Sequence, residues 1–194
     1  MAKAGGGTSI KDALVKAEAT AKEKNQEWSL KVIKLNGQMP PIDKMDSTLN
    51  TLGECEYLSL STNNIDRIAS VGALKNLKIL ALGRNNIKSF SGIEALSETL
   101  EQLWISYNMI DKIKGLGGMK KLEILYMAYN LVKDWAEYSK LNEIQSLEEI
   151  CFFGNPIHLT FDNQDEWRTQ ASKRAPRLIK IDGKPTGAGP STPE

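Results

Sequence analysis

An asparagine that returns at a nearly fixed interval is the feature of this chain that most restricts its fold. Asn63, Asn85, Asn108 and Asn130 are separated by 22, 23 and 22 residues, and Asn155 follows after 25. Each sits in the same local frame: "LSLSTNNIDRI" from Leu58, "LALGRNNIKSF" from Leu80, "LWISYNMIDKI" from Leu103, "LYMAYNLVKDW" from Leu125, then "ICFFGNPI" from Ile150. The shared pattern is LxLxxNxI, followed by apolar residues at three-residue steps such as Val71, Leu74 and Leu77, or Ile93 and Leu96. A coil of about this length cannot bury its own apolar face, so it must stack against copies of itself.

This is the leucine-rich-repeat pattern, and it predicts an α/β solenoid. The LxL segment makes a short strand in a parallel sheet on the concave face. The xxLxxL part is too short for a full helix and returns on the other side as a helical or 3₁₀ segment. A carboxamide carries both donors and acceptors, so a column of Asn63, Asn85, Asn108, Asn130 and Asn155 can satisfy backbone groups where each coil bends away from its strand. The column therefore reads as a structural ladder rather than a binding site.

About five to six repeats are expected over residues 30–154, with "VIKLNGQMPPIDKMDSTLNTLGECEY" as a degenerate first unit that carries Gln38 in the asparagine position. Residues 1–29 form an N-terminal helical cap. Thr8 or Ser9 is its N-cap, Asp12 lies three residues after Ser9, and Ile10, Ala13, Leu14 and Ala17 mark its apolar stripe. Residues 155–183 form a C-terminal cap, with a helical stretch around Trp167 and Ala171 and a last strand-like segment in "PRLIKIDG". Glycine and proline make residues 184–194 a disordered tail in this reading.

Chemistry is sparse. A single histidine, His158, cannot supply a catalytic triad or a histidine metal site, and no nucleophile, base and orienter can be assembled, so an enzyme, a metal and a cofactor are not expected. "GLGGMKK" lacks the spacing of a phosphate-binding loop and reads as a return turn, while "DNQDE" lacks the glycine of a calcium loop and reads as a helix start. With 25 basic and 24 acidic residues the net charge is +1, and the lysines are not interleaved with stacking aromatics, so neither nucleic acid nor a membrane surface is an expected partner. Cys55 and Cys151 are far apart and read as free thiols of a reduced compartment. The lysine-rich N-terminus has no apolar signal stretch, and no run of 18 apolar residues follows.

Side chains alternate along a strand, so inward Leu103 and Ile105 turn Trp104 outward. Carried through the repeats, the outward side chains include Tyr57, Ile79, Ala81, Trp104, Ile124, Tyr126, Cys151 and Phe153, with Trp104 and Tyr126 side by side. Arg84, Tyr107 and Tyr129, each just before its asparagine, form a second row along one rim. Aromatic residues and arginine around an apolar centre are the composition of a protein-binding hot spot. One Trp and one Tyr present roughly 150–250 Å² each, enough with aliphatic neighbours to mark an interaction patch.

"GQMPPIDKMDSTLNTL", "LSLSTNNIDRI", "TLEQLWISYNMI" and "LYMAYNLVKDW" resemble the leucine-rich-repeat light chain family of axonemal outer-arm dynein, over about residue 30 to Gly183. The resemblance implies a non-catalytic subunit bound to a dynein heavy chain at the microtubule-binding domain of its stalk, tuning the motor's hold on the microtubule. It also implies residence in the cytoplasm and cytoskeleton, at the ciliary axoneme, without self-association. Direct contact with tubulin through exposed lysines is a second route to the same effect. The short "DGKPTGAGPSTPE" departs from the longer charged extension expected in that family, so no contact is carried over to it. Two other occupants of the face stay open at this point: a phosphatase catalytic subunit and a small RNA-processing partner.

Overall fold

The computed structural model describes residues 6–187. Strands β1 (Val32–Lys34), β2 (Tyr57–Ser59), β3 (Ile79–Ala81), β4 (Gln102–Trp104), β5 (Ile124–Tyr126), β6 (Glu149–Cys151), β7 (Lys180–Ile181) and β8 (Lys184–Pro185) form one sheet in sequence order. All neighbours run parallel except β7 and β8. Sequential parallel order is what a solenoid requires, since each coil crosses over once and lands beside its predecessor. The register places Leu58, Leu80, Leu103, Leu125 and Ile150 opposite one another, and all are fully buried. Each such side chain contributes roughly 1.5–3 kcal/mol by leaving water.

The returns are short. A 3₁₀ helix spans Ser47–Thr51 and another Ile93–Leu96, while α2 (Trp135–Ser139) runs into a 3₁₀ turn at Lys140–Glu143. Their inward residues, among them Leu49, Val71, Leu74, Ile93, Leu96 and Leu141, close the far side of the same core.

Between strand and return runs the asparagine ladder. Asn85 donates from Nδ2 to the Leu82 carbonyl of its own coil at 3.0 Å and to Leu60 of the preceding coil at 3.1 Å, and accepts from the Ile65 N–H at 2.9 Å. Asn108 does the same with Ile105, Leu82 and Ile87, and Asn130 with Met127, Ile105 and Ile110. Asn63 and Asn155 continue the pattern at the two ends. Gln38, one methylene longer, does not form a rung: its side-chain nitrogen turns back to the Asn36 carbonyl at 3.2 Å.

Both ends of the core are capped. Helix α1 (Ile10–Glu23) starts at Ser9, whose hydroxyl accepts from the Asp12 N–H at 3.1 Å, and it buries Ile10 and Ala13 in the core. At the other end α3 (Gln164–Arg174) buries Trp167 and Ala171. The Trp167 ring packs against Trp135, Tyr138, Phe152 and His158. Asp182, just after β7, puts its carboxylate where earlier coils offer the next strand's carbonyl, accepting from the Phe152 and Phe153 N–H groups at 2.6 and 2.9 Å and from Trp167 Nε1 at 2.8 Å. The sheet runs past the expected start of the tail, because the Asp182–Gly183 turn, with φ of 49° and 77°, folds Lys184–Pro185 back onto β7. The rest of that tail from residue 188, and residues 1–5 of the N-terminal cap, lie outside the described residues. No helix among the described residues is long and apolar enough to cross a membrane.

Candidate functional site

Five parallel strands set the outward side chains in columns. One column reads Tyr57, Ile79, Gln102, Ile124 and Glu149, and the next Ser59, Ala81, Trp104, Tyr126 and Cys151. Neighbouring strands lie about 4.8 Å apart, so rings in one column meet. Trp104 stacks on Tyr126 with centroids 6.3 Å apart and planes inclined by 21°. Tyr57 meets the other side of Trp104 edge-on at 5.9 Å. The three rings form one aromatic block on the open face, each partly exposed.

Polar chemistry ties down one end of the block. The Tyr126 hydroxyl donates to Glu149 Oε1 at 2.8 Å, and the Lys180 ammonium sits 3.0 Å from the same oxygen. Burial, and after it the neighbouring Glu149 carboxylate, push the Tyr126 hydroxyl up to about 12, so it stays a neutral donor through the physiological range. Trp104 Nε1 is shielded and has no hydrogen-bond partner among the described residues. Cys151, in the same column, is a free thiol pushed up to about 11 by burial, and Cys55 is likewise raised to about 11 by its place in the core. Both are protonated at neutral pH and are poor nucleophiles.

The outward list from sequence needs one correction. Ala81 is 2% exposed and adds nothing to the accessible patch. Ser59 and Ala128, also small and outward, are buried too. Alternation gives a side chain its direction, but a methyl group between large rings is shaded by them. Ile79 and Ile124 are partly exposed, and Phe153 is exposed at the far end.

A second structure lies along the edge where the strands end. Arg84, Tyr107 and Tyr129, each preceding a ladder asparagine, have φ of 56°, 58° and 53°, in the left-handed region. Their N–H groups donate to the next coil, at Ser106, Ala128 and Phe153, within 2.8–2.9 Å. The backbone thus keeps its ladder bond while turning sharply, and the side chain swings to the rim. Tyr107 and Tyr129 stack at 4.4 Å with planes 13° apart, the Arg84 guanidinium lies 4.3 Å over Tyr107, and Phe153 meets Tyr129 edge-on at 5.5 Å. Gly154, next in this series with φ of 75°, must be glycine, because a Cβ there would stand 2.5 Å from the Tyr129 ring.

This edge is greasier than sequence reasoning found. Met109 (44% exposed) and Leu131 (49%) follow the asparagines next to Tyr107 and Tyr129 (42% each), and Leu159 (67%) is exposed in the 3₁₀ turn of the C-terminal cap. Met109 and Leu131 each follow a ladder asparagine, and that regularity was the available signal. Each is followed by an inward apolar residue, Ile110 or Val132, so in sequence the pair reads as core.

His158 is buried inside the C-terminal cap. Its Nδ1 accepts from the Gly154 N–H at 3.4 Å, so Nε2 carries the proton and donates to Gln164 at 2.9 Å. It is a structural residue. No cluster of three or more metal-ligating side chains occurs among the described residues.

No protein-family model matches the chain. Individual relatives do. It is 57% identical over 185 residues to dynein axonemal light chain 1 of Danio rerio, covering 95% of this chain and 94% of that one. Against the Homo sapiens protein of the same name the identity is 54%, with 97% of both chains covered, and against that of Chlamydomonas reinhardtii it is 49%, with 95% and 92% covered. Among solved structures, the Drosophila melanogaster SNF/U2A' complex has a chain matching at TM-score 0.63 and 21% identity, covering 74% of this chain and 86% of that one. A Listeria monocytogenes internalin matches at TM-score 0.59 and 18% identity, over 73% of this chain and 38% of that one. At these identities the two structures speak for the repeat fold alone, whereas identity near 55% across almost the whole length speaks for kinship: the chain belongs to the dynein axonemal light chain 1 family.

Proposed function

We propose that this protein is a non-catalytic light chain of the ciliary outer dynein arm that docks on a dynein heavy chain. Its site is the microtubule-binding domain of the stalk, and it alters the motor's hold on the microtubule, with tubulin as a second contact. On this reading it works as a single copy in the cytoskeleton of the axoneme. The relatives it matches across nearly their full length are named as axonemal dynein light chains, which sets the class of partner.

One observation carries the choice of surface. Tyr57, Trp104 and Tyr126 make one packed aromatic block on the open sheet face, with a shielded indole N–H that has no acceptor among the described residues. Aromatic rings already packed on their neighbours lose little side-chain freedom on binding, which is what an anchor needs. Ile79, Ile124, Cys151 and Phe153 surround the block, and Arg84, Tyr107 and Tyr129 extend it to the rim.

Binding of a heavy-chain stalk-tip fragment to Trp104→Ala, checked for folding by circular dichroism, is the test. A loss of about 2 kcal/mol or more is expected for a central anchor. Unchanged affinity removes the face from the proposal. Cosedimentation of the fragment with microtubules, with and without the light chain, reads the regulatory part directly, and equal affinities would remove it.

A further inference from the structure

The edge where the strands begin is charged, and its charge changes along the solenoid. In ladder order its residues are Lys31, Glu56, Lys78, Glu101, Glu123 and Glu148, each joined to the next coil by backbone hydrogen bonds. The first three are ion-paired, two lysines sharing one carboxylate: Glu56 lies 3.2 Å from the Lys31 ammonium and 3.5 Å from that of Lys78. These ion pairs also show that side chains of this column reach one another across adjacent strands. The last three are all acidic. Glu123 and Glu148 are exposed and Glu101 partly so, and none of them makes an ion pair or side-chain hydrogen bond among the described residues. They stand beside β4, β5 and β6, the strands that carry Trp104, Tyr126 and Cys151. Across the same strands the opposite edge is the aromatic ridge of Tyr107, Tyr129 and Phe153.

Resting on the reading that this face docks the heavy chain, we infer that the segment it grips is an amphipathic helix with a basic stripe. The helix lies across β4–β6, its lysine or arginine side chains over Glu101, Glu123 and Glu148 and its apolar flank against Trp104 and the Tyr107–Tyr129 ridge. Spacing supports the fit. Three strands at about 4.8 Å place the glutamates over roughly 10 Å. A helix rising 1.5 Å per residue covers that distance between basic positions i, i+3 and i+7, which share one face. Six residues separate Glu101 from Tyr107, at most about 20 Å of extended chain, and a helix about 10–12 Å across leaves room for lysine stems to bridge the rest. Because one edge is acidic and the other aromatic, the face distinguishes the two flanks of the helix. A helix rolled the wrong way would set apolar side chains on the carboxylates and charges on the rings.

The triple variant Glu101→Gln, Glu123→Gln, Glu148→Gln keeps size and polarity while removing the charge. Its association and dissociation rates with the stalk-tip fragment are measured against ionic strength, beside those of Trp104→Ala and the unaltered chain. The expected result is association about tenfold slower at low salt, a flattened salt dependence and dissociation within about twofold of the unaltered chain, while Trp104→Ala chiefly speeds dissociation. If the triple variant behaves as the unaltered chain while Trp104→Ala loses binding, the basic stripe is wrong and the docking face stands. If neither variant changes binding, or the unaltered chain does not bind, the docking face falls and the inference with it.

Discussion

Tyr57 and Trp104 touch although their strands are not neighbours. Strand β3 runs between β2 and β4, yet the two rings meet edge-on at 5.9 Å, and Ala81, level with Trp104 on β3, is 2% exposed. The rings bridge over the alanine, and a methyl group is what leaves them room. Ala81→Leu should push the bridge apart at a stability cost of about 1–3 kcal/mol. Near-ultraviolet circular dichroism reads the Tyr57–Trp104 geometry, and binding of the heavy-chain fragment should fall with it. An unchanged spectrum would show that the alanine is not what permits the contact.

Asn108 is 7% exposed and joins two coils at once. Asn108→Ala leaves the Ile87 N–H and the Leu82 and Ile105 carbonyls short of a side-chain partner inside the stack. Unsatisfied buried groups cost about 1–3 kcal/mol each, so a loss of at least about 2 kcal/mol is expected in urea unfolding. Gln38, at the same place in the first coil, makes no equivalent bridge, and Gln38→Ala should cost less than about 1 kcal/mol.

The left-handed positions separate strain from stacking. Thr62 has φ of 59° and is exposed, with no ring beside it, so Thr62→Gly should gain about 1 kcal/mol by removing the Cβ clash. Tyr129→Gly relieves the same strain but loses its contacts with Tyr107 and Phe153, stacking worth about 0.5–1.5 kcal/mol for each pair. Its net effect on stability should be smaller or of opposite sign. Equal gains at both positions would show that the stack contributes nothing to folding.

Glu137 supplies a pH signature. It is 7% exposed, and its carboxylate holds the Lys140 ammonium at 2.6 Å and accepts from the Ile113 N–H at 3.0 Å. Lys140 first, then the Ile113 bond, hold the carboxyl below its ordinary value. A group depressed in the folded state adds stability above its unfolded pKa and loses it as pH falls through the folded one. Glu137→Gln should therefore cost about 1–2 kcal/mol near pH 7, and the difference from the unaltered chain should shrink below about pH 4. Chemical unfolding at a series of pH values measures it, and a difference constant with pH would mean that the charge plays no part.

The period of the asparagines determined the solenoid, the parallel sheet and the inward leucines, because each follows from a rule that acts within one coil. Alternation along a strand is local, and so is the need to satisfy the backbone where the chain bends. The same local rules turned Trp104, Tyr126 and Tyr57 outward and put Arg84, Tyr107 and Tyr129 in one row.

What lies between coils had to wait for the tertiary structure. Burial of Ala81, the tie between Tyr126 and Glu149, the exposed pair Met109 and Leu131, and the change along the Lys31–Glu148 edge all join residues some 20 or more positions apart. The coils differ in length, with 22, 23 and 25 residues between successive asparagines, so no single-coil rule says which side chains meet. Stacking fixes which side chain lies against which, at about 4.8 Å per strand, and only then do size and charge decide which side chains are shaded, which are paired and which stay free.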